Sequence, residues 1–137
     1  MDVRGQVMLE ALAARLESAG VATLATDMFI GMMPNSPDEC LALYEYAGES
    51  PMEFLSDDDA TLEMPSIQVM TRAGRNAYPA ARALIVQARD ELTAISNETI
   101  DGVRFLRVHA LSAINALGVD ENERTRFTLS LQAVTER

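Results

Sequence analysis

The stretch DMFIGMMPNSPDECLALYEYAG, residues 27–48, shows how this chain is built. An apolar run is followed by Pro-Asn-Ser-Pro at residues 34–37 and then by a second apolar run that ends at Gly48. Prolines are frequent in turns, and the residue before a proline is biased toward an extended conformation. Within residues 40–46 both alternating sets of side chains are largely apolar, which is typical of a strand covered on both faces. The stretch therefore predicts two strand-like segments joined by a turn.

Two helices are predicted on either side of this stretch. Apolar residues recur at helical spacing over residues 5–19, where Asp2 can cap the start and Gly20 can end the helix. The same spacing recurs over residues 76–95, with Asn76 as the predicted N-cap and Pro79 in the first turn. The apolar face of this second helix consists of Ala77, Ala81, Leu84, Ile85, Ala88, Leu92 and Ile95.

Alternating side chains predict further strands at residues 66–74, 103–116 and 126–134. The resulting order is helix, three strands, helix and two strands, without the βαβ alternation of a parallel sheet. We therefore expect a single α+β domain over residues 1–137. Its sheet is expected to be mostly antiparallel, with four to five strands and two helices packed on one face.

Residues 48–65 are rich in acids and contain no basic residue. We expect a long loop here, and loops of this length within compact domains are usually functional or mobile. The run at residues 57–59 lacks the ligand spacing and the central glycine of a calcium-binding loop, so no metal site is predicted. The acids of this segment are Glu49, Glu53, Asp57, Asp58, Asp59 and Glu63.

The composition of the chain is that of a globular domain rather than a disordered one. Of 137 residues, 48% are hydrophobic and 23% are charged, and the 11 basic residues, all arginine, face 21 acids for a net charge of −10. This balance argues against a protein that wraps a phosphate backbone, but it suits a surface that DNA slides past. The N-terminus lacks the features of a signal peptide and no segment is apolar enough to span a bilayer, so we expect no membrane and a cytoplasmic or particle location.

No catalytic pattern is present, so we expect no enzyme, no cofactor and no metal. Cys40 lies among apolar residues and is predicted to be a small buried side chain, and one cysteine excludes an internal disulfide. His109 is the single histidine and has no aligned serine or cysteine motif. The alternative that stays open is a small hydrolase or binding domain that uses His109 and the acidic loop.

Arginines at 75, 82 and 89 recur every seven residues, with Arg75 just before the second predicted helix and Arg82 and Arg89 beside its apolar face. One interpretation is a solvated helix edge with local ion pairs. The other is a subunit contact in which these arginines pair with the acidic loop of a neighbouring copy, since the signs of the two segments match. The candidate subunit-interface residues are Arg72, Arg75, Arg82, Arg89, Asp57, Asp58, Asp59 and Glu63.

Four segments in this order resemble the tail terminators of tailed bacteriophages, a family also described as phage minor capsid proteins. They are the opening stretch, PSIQVMTRAGRNAYPAARAL at 65–84, NETIDGVRFLRV at 97–108 and ALGVDENERTRFTLSLQAV at 116–134. The likeness spans about residues 5–135. The family usually has glycine at the position of Glu123, and the loss of that glycine argues against a tight left-handed turn there.

The resemblance implies a structural virion protein that forms a homo-oligomeric ring of six copies at the head-proximal end of the tail tube. Such a ring stops tube polymerisation, contacts the tail tube protein and the head–tail connector, and is assembled in the host cytoplasm. Phage DNA is expected to pass through its lumen without specific binding. A head-completion protein at the capsid connector is the alternative within the virion class.

Overall fold

The computed structural model describes residues 3–53 and 61–136, with the backbone alone described for residues 3–7, 47–53 and 61. This part of the chain contains two helices and seven strands. In chain order the elements are α1 (Val3–Ser18), β1 (Met28–Ile30), β2 (Cys40–Glu53), β3 (Thr61–Arg75), α2 (Tyr78–Thr93), β4 (Ser96–Ile100), β5 (Val103–Ala110), β6 (Asn115–Val119) and β7 (Arg124–Glu136).

The strands form one sheet in the order β1-β2-β3-β7-β5-β4, and β6 pairs with β7 beyond the end of β5. The α+β class is as predicted, but the sheet is mixed and has seven strands where four to five were expected. β1 lies parallel to β2, with Met28 opposite Leu41. The reason is that residues 31–39 carry the chain from the end of β1 back to the level of its first residue before β2 begins. Two neighbouring strands joined by such a return run in the same direction. β4 escaped prediction because its residues, SNETI, show no apolar alternation.

The expectation of a long loop at residues 48–65 is wrong for most of that segment. β2 runs to Glu53 and β3 begins at Thr61, and these two residues lie opposite each other in a long antiparallel hairpin. The register shifts twice between Tyr46 and Met52, a stretch that contains Pro51, which has no N–H to donate to a ladder. Asp57, Asp58 and Asp59 lie outside the described residues.

One hydrophobic cluster unites both helices with one face of the sheet. From the strands it takes the predicted alternating residues, such as Val69 of β3 and Leu129 of β7, which are 0% and 1% exposed. α2 contributes Ala81, Ile85, Ala88 and Leu92, and α1 contributes Met8, Leu9, Leu12, Ala13 and Leu16. The hydroxyl of Thr71, on the same face, donates to the carbonyl of Ala81 at 2.9 Å, which fixes α2 against the sheet.

The start of α2 differs from the prediction. Asn76 is not the N-cap: it has a φ of 60° and lies in the turn, while Ala77 occupies the cap position without a side-chain hydrogen bond. Asparagine tolerates the left-handed conformation better than most residues, so it is used here to reverse the chain after β3. Pro79 lies in the first turn, as predicted. The predicted cap of α1, Asp2, lies outside the described residues.

Candidate assembly surface

Side chains of β2, β3, β7 and β5 that point away from the helices form the second face of the sheet, which we call the open face. Among the described residues neither helix packs on it, since both belong to the cluster on the opposite side. The open face carries Tyr44, Tyr46, Gln68, Met70, Arg72, Arg104, Arg107, His109, Arg124, Arg126, Thr128, Ser130 and Gln132. It is therefore a largely polar face with several arginines.

One end of the open face is covered by residues 31–39, which contain the Pro-Asn-Ser-Pro turn. Arg72 is 4% exposed, and its guanidinium donates to the carbonyls of Pro34 and Pro37 at 2.7 Å and of Asp38 at 3.0 Å. A buried guanidinium is stable only when its N–H groups find acceptors. The carbonyls of the turn supply those acceptors, so Arg72 fixes the loop to the sheet.

A second arginine completes this attachment. Arg124 is 7% exposed and donates to Asn35, through the backbone carbonyl at 2.6 Å and Oδ1 at 3.1 Å. Its Nε donates to Asp120 Oδ2 at 2.9 Å, and Nη1 lies 3.5 Å from Asp38 Oδ1. The loop, β3 and the start of β7 are thus joined by two buried cations. This network also explains why two prolines precede β2, because the prolines shape a turn whose carbonyls converge on the two arginines.

The turn between β6 and β7 is organised by Asp120. Its Oδ1 accepts from the backbone N–H groups of Asn122 and Arg124, both at 2.9 Å. The backbone N–H of Arg124, then that of Asn122 and the Arg124 side chain, hold the pKa of Asp120 below its usual value. Glu123 has a φ of 62°, so the expectation that a residue other than glycine disfavours a left-handed turn here is wrong. The hydrogen bonds of Asp120 stabilise that conformation.

The structure separates the arginines that the sequence grouped together. Arg75 is exposed and pairs with Glu123, while Arg89 pairs with its neighbour Asp90 at 3.0 Å. Arg82 is exposed on α2. Glu63 is half-buried on β3, and the fourth arginine, Arg72, is committed to the loop. Pairing between these arginines and the acids of a neighbouring copy stays a prediction.

Three further arginines, which were not among the predicted interface residues, lie on the open face; of these Arg107 is exposed, while Arg104 and Arg126 are half-buried. Arg104 donates to the backbone carbonyl of Asn97 at 3.1 Å, and Arg107 Nε donates to His109 Nδ1 at 3.3 Å. Arg126 Nη2 lies 3.5 Å from the carbonyl of Val119, and its Nε is buried without a partner in the described structure. The sequence contained one indication of their location, because each of these arginines occupies a polar position in a strand of alternating side chains.

A cleft of about 540 Å³ opens at the end of the molecule where the β3–α2 turn meets the β6–β7 turn. Tyr78 is half exposed, and its ring packs edge-on against Phe127 with centroids 5.0 Å apart. All five residues of the neighbouring strand β6 are exposed. The cleft is lined by Arg75, Asn76, Tyr78, Val119, Glu123 and Thr125. Exposed apolar residues beside a cleft are frequent at protein–protein contacts.

The residues considered for catalysis are not brought together. Cys40 lies opposite Arg72, and His109 lies opposite Gln132. These two positions in the sheet are about 20 Å apart along the strand direction at the usual rise per residue. Cys40 is 0% exposed, and burial raises the pKa of its thiol. Among the described residues no group of three histidine, cysteine or acidic side chains is placed to hold a metal ion. No helix in the described ranges is long and apolar enough to cross a membrane.

The open face, the exposed strand β6 and the cleft beside Tyr78 are three surfaces that are available for contacts with other proteins. The chain belongs to the bacteriophage tail terminator protein family, whose model matches residues 15–137. It therefore has a structural role in a phage virion. Its fold is similar to that of a chain from the virion of a native gene transfer agent particle, with a TM-score of 0.70, 15% identity and 100% of both chains covered. A search of curated protein sequences finds no match.

Proposed function

We propose that this chain forms a ring at the head-proximal end of a phage tail tube, with six copies expected. In that position the ring stops polymerisation of the tube protein and joins the tail to the head connector. The observation that carries the proposal is the match of the tail terminator family over residues 15–137. The ring would be assembled in the host cytoplasm and remain in the neck of the virion.

The shape of the domain supports this role. A closed ring requires that each copy contact its neighbours through two different surfaces. It also requires surfaces at both ends of the ring for the tube and the connector. The open face, the exposed strand β6 and the cleft beside Tyr78 are separate surfaces, so one small domain provides several contacts.

The experiment that tests the function is a structure of the assembled neck, together with fractionation of tails from a lysate that makes no heads. A terminator co-purifies with these tails and appears as a ring above the last layer of tube protein. A head-completion protein is absent from them. A map with one or two copies at the tail end contradicts the ring.

The role we propose is not enzymatic. The support is that Cys40 is buried and lies about 20 Å along the strands from His109, so these two side chains do not form a pair of nucleophile and base. His109→Ala and Asp58→Ala variants distinguish the alternative of a small hydrolase. If tails assemble normally with both variants while a measurable turnover disappears, the enzyme is the correct interpretation.

We also propose a subunit contact through the exposed edge of α2. Arg82 has an exposed side chain, and Arg89 is bound to Asp90 alone among the described residues, so both are accessible to the acids of a neighbour. Arg82→Glu combined with Arg89→Glu is expected to impair tail assembly and leave the free chain folded. The measurements are the yield of finished tails and the circular dichroism of the variant. Normal tails from this double variant would make the arginines a solvated helix edge.

Phage DNA is proposed to pass through the ring without specific binding. The chain has a net charge of −10, and a lumen lined by the acids between residues 49 and 63 repels phosphates over the roughly 8 Å that salt leaves unscreened. Arg104, Arg107 and Arg126 then belong at contacts with protein rather than at the channel wall. A neck structure in which these three arginines face the DNA contradicts this part of the proposal.

A further inference from the structure

Tyr78 forms a fixed aromatic wall in the cleft at the start of α2. This residue is 50% exposed, yet its ring is held edge-on against Phe127 with centroids 5.0 Å apart. Val119, at the end of β6, lines the same cleft and is 57% exposed. A ring that is already fixed loses little conformational freedom when a partner covers it, so such rings are frequent anchors of protein contacts. The cleft measures about 540 Å³, a size at which pockets hold drug-sized molecules, and therefore has room for two apolar side chains.

The other side of the cleft favours negative charge. Helix α2 begins there, at Tyr78, with no acid in its first turn and no side-chain hydrogen bond at the cap residue Ala77. The start of a helix carries a partial positive charge that attracts carboxylates. Arg75 at the cleft is paired with Glu123, and both side chains are exposed, so this ion pair contributes little and can be exchanged. An occupant with apolar side chains followed by acids would suit both sides of the cleft.

The chain itself contains a segment of this composition. Residues 54–60, FLSDDDA, contain two large apolar residues followed, after one serine, by three acids. They lie outside the described residues and connect Glu53 of β2 to Thr61 of β3, which are opposite each other in the hairpin. This connection therefore starts at the end of the sheet where β2 leads into β3.

The connection cannot reach the cleft of its own chain. Strand β3 runs from Thr61 to Arg75, so the hairpin end and the cleft are separated by about 45 Å along this strand. Seven residues that leave Glu53 and return to Thr61 extend at most about 12 Å beyond the hairpin. Any cleft of this kind that residues 54–60 fill must therefore belong to another copy.

We infer that the cleft beside Tyr78 of one copy binds residues 54–60 of a second copy, so that the copies join head to tail. In this contact Phe54 and Leu55 cover the apolar side of the cleft, and the acids at 57–59 face the start of α2. The inference rests on the proposed ring and names the surfaces that close it. Two different surfaces at opposite ends of one chain generate a ring when the rotation between copies closes.

A second copy suits the cleft better than DNA does. A phosphate backbone is bound by clustered cations, whereas the described lining of the cleft has one arginine, Arg75, which already has a carboxylate partner. Each copy contributes one cleft and one connection, so identical chains supply both sides of every contact in a ring. The acids of the strands, Glu49, Glu53 and Glu63, take no part in this contact, which is therefore compatible with the acidic lumen proposed above.

Disulfide cross-linking in assembled tails tests the contact. The chain carries Leu55→Cys and Val119→Cys and is supplied in trans to a phage genome that lacks this gene. Cys40 is 0% exposed and does not take part. After mild oxidation, a denaturing gel without reductant should show a ladder of linked chains that ends at the number of copies in the ring. Either new cysteine alone should give single chains, and so should the matched control of Leu55→Cys with Leu24→Cys, because Leu24 is exposed outside the cleft.

A second measurement does not depend on cysteines. Val119→Asp places a charge on the apolar side of the cleft, and Phe54→Ser with Leu55→Ser removes the apolar side chains of the connection. Each change should lower the titre of infectious particles by about 100-fold, because burial of each large apolar side chain changes affinity by about tenfold or more. Leu24→Asp, the matched control for Val119→Asp, should leave the titre unchanged. Circular dichroism of the free chains checks that the variants remain folded.

The outcomes separate this contact from the proposed function. Tails that carry a ring but show no ladder overturn the contact and leave the terminator role intact. A titre that falls with Val119→Asp but not with the double serine variant assigns the cleft to another virion protein and also overturns the contact. If the cysteine pair yields no tails, the two titres decide: a fall with both supports the contact, and full titre with either overturns it. Wild-type tails without a ring contradict the proposed function, and the contact fails with it.

Discussion

Two sets of arginines lie on the same face of one sheet and differ in their surroundings. Arg72 and Arg124 are 4% and 7% exposed and are surrounded by carbonyls and carboxylates of residues 31–39 and 120. Arg104 and Arg107 lie toward the other end, half-buried or exposed, and contact neutral groups. A guanidinium that leaves water must find acceptors within the chain, whereas one at the surface keeps its hydration. The first set therefore holds the domain together, and the second is available to another molecule.

The largest effect that distinguishes the two sets is expected from their removal. Arg72→Ala leaves three loop carbonyls without their donor and detaches residues 31–39, so the free energy of unfolding should fall by about 3 kcal/mol. The matched control is Arg107→Ala on the exposed part of the same face, which should change it by less than about 0.5 kcal/mol. Urea denaturation followed by circular dichroism measures both. Equal losses for the two variants would contradict the division of these arginines into a structural set and an accessible set.

A smaller effect, and one that depends on pH, is expected at Asp120. Its pKa is lowered in the folded state, first by the backbone N–H of Arg124, so its ionised form stabilises the fold. This contribution is complete above the unfolded-state pKa of about 3.9 and is lost as the pH falls through the lower folded-state pKa. Asp120→Asn should therefore have a lower urea midpoint than the wild type at pH 7. The difference should disappear in strong acid, and a difference that persists there would contradict the role of the charge.

The smallest effect is expected in the turn that follows Asp120. Glu123 adopts a left-handed conformation that costs a side chain with a Cβ about 1–2 kcal/mol, and glycine avoids this cost but loses more chain entropy on folding. Glu123→Gly should therefore stabilise the domain by about 0.5 kcal/mol, as measured by thermal unfolding. Glu123→Gln is the control, because it removes the ion pair with Arg75 and keeps the Cβ. A stabilisation by glutamine equal to that by glycine would rule out backbone strain as the cause.

The elements with strong apolar periodicity were predictable from the sequence. The helical face of Ala81, Ile85, Ala88 and Leu92 is buried as predicted, and so are the alternating residues of β3 and β7. Each of these patterns repeats over several turns or residue pairs, so that one register buries the whole set. Pro79 in the first turn of α2 was predictable for a local reason, its fixed φ and missing N–H.

Elements that depend on a partner strand escaped prediction. β4 and the extension of β2 and β3 to Glu53 and Thr61 are held by backbone pairing, which leaves little trace in side-chain pattern. The parallel pairing of β1 depends on where residues 31–39 cross the sheet. Asn76 was assigned to a cap from its residue type, but the chain reversal after β3 required it in a left-handed turn.

The sequence by itself determined which residues enter the core, the α+β class and the acidic balance of the chain, because these depend on composition and short-range periodicity. Only the tertiary structure decided the roles of the arginines. Arg72 and Arg124 meet residues 34–38 across separations of more than thirty positions, and those contacts exist only once β2, β3 and β7 are aligned. The same alignment places Arg104, Arg107 and Arg126 on the open face as well, where they contact neutral groups. Charge is a property of the sequence, but the distance between charges, which fixes their interaction energy, is a property of the fold.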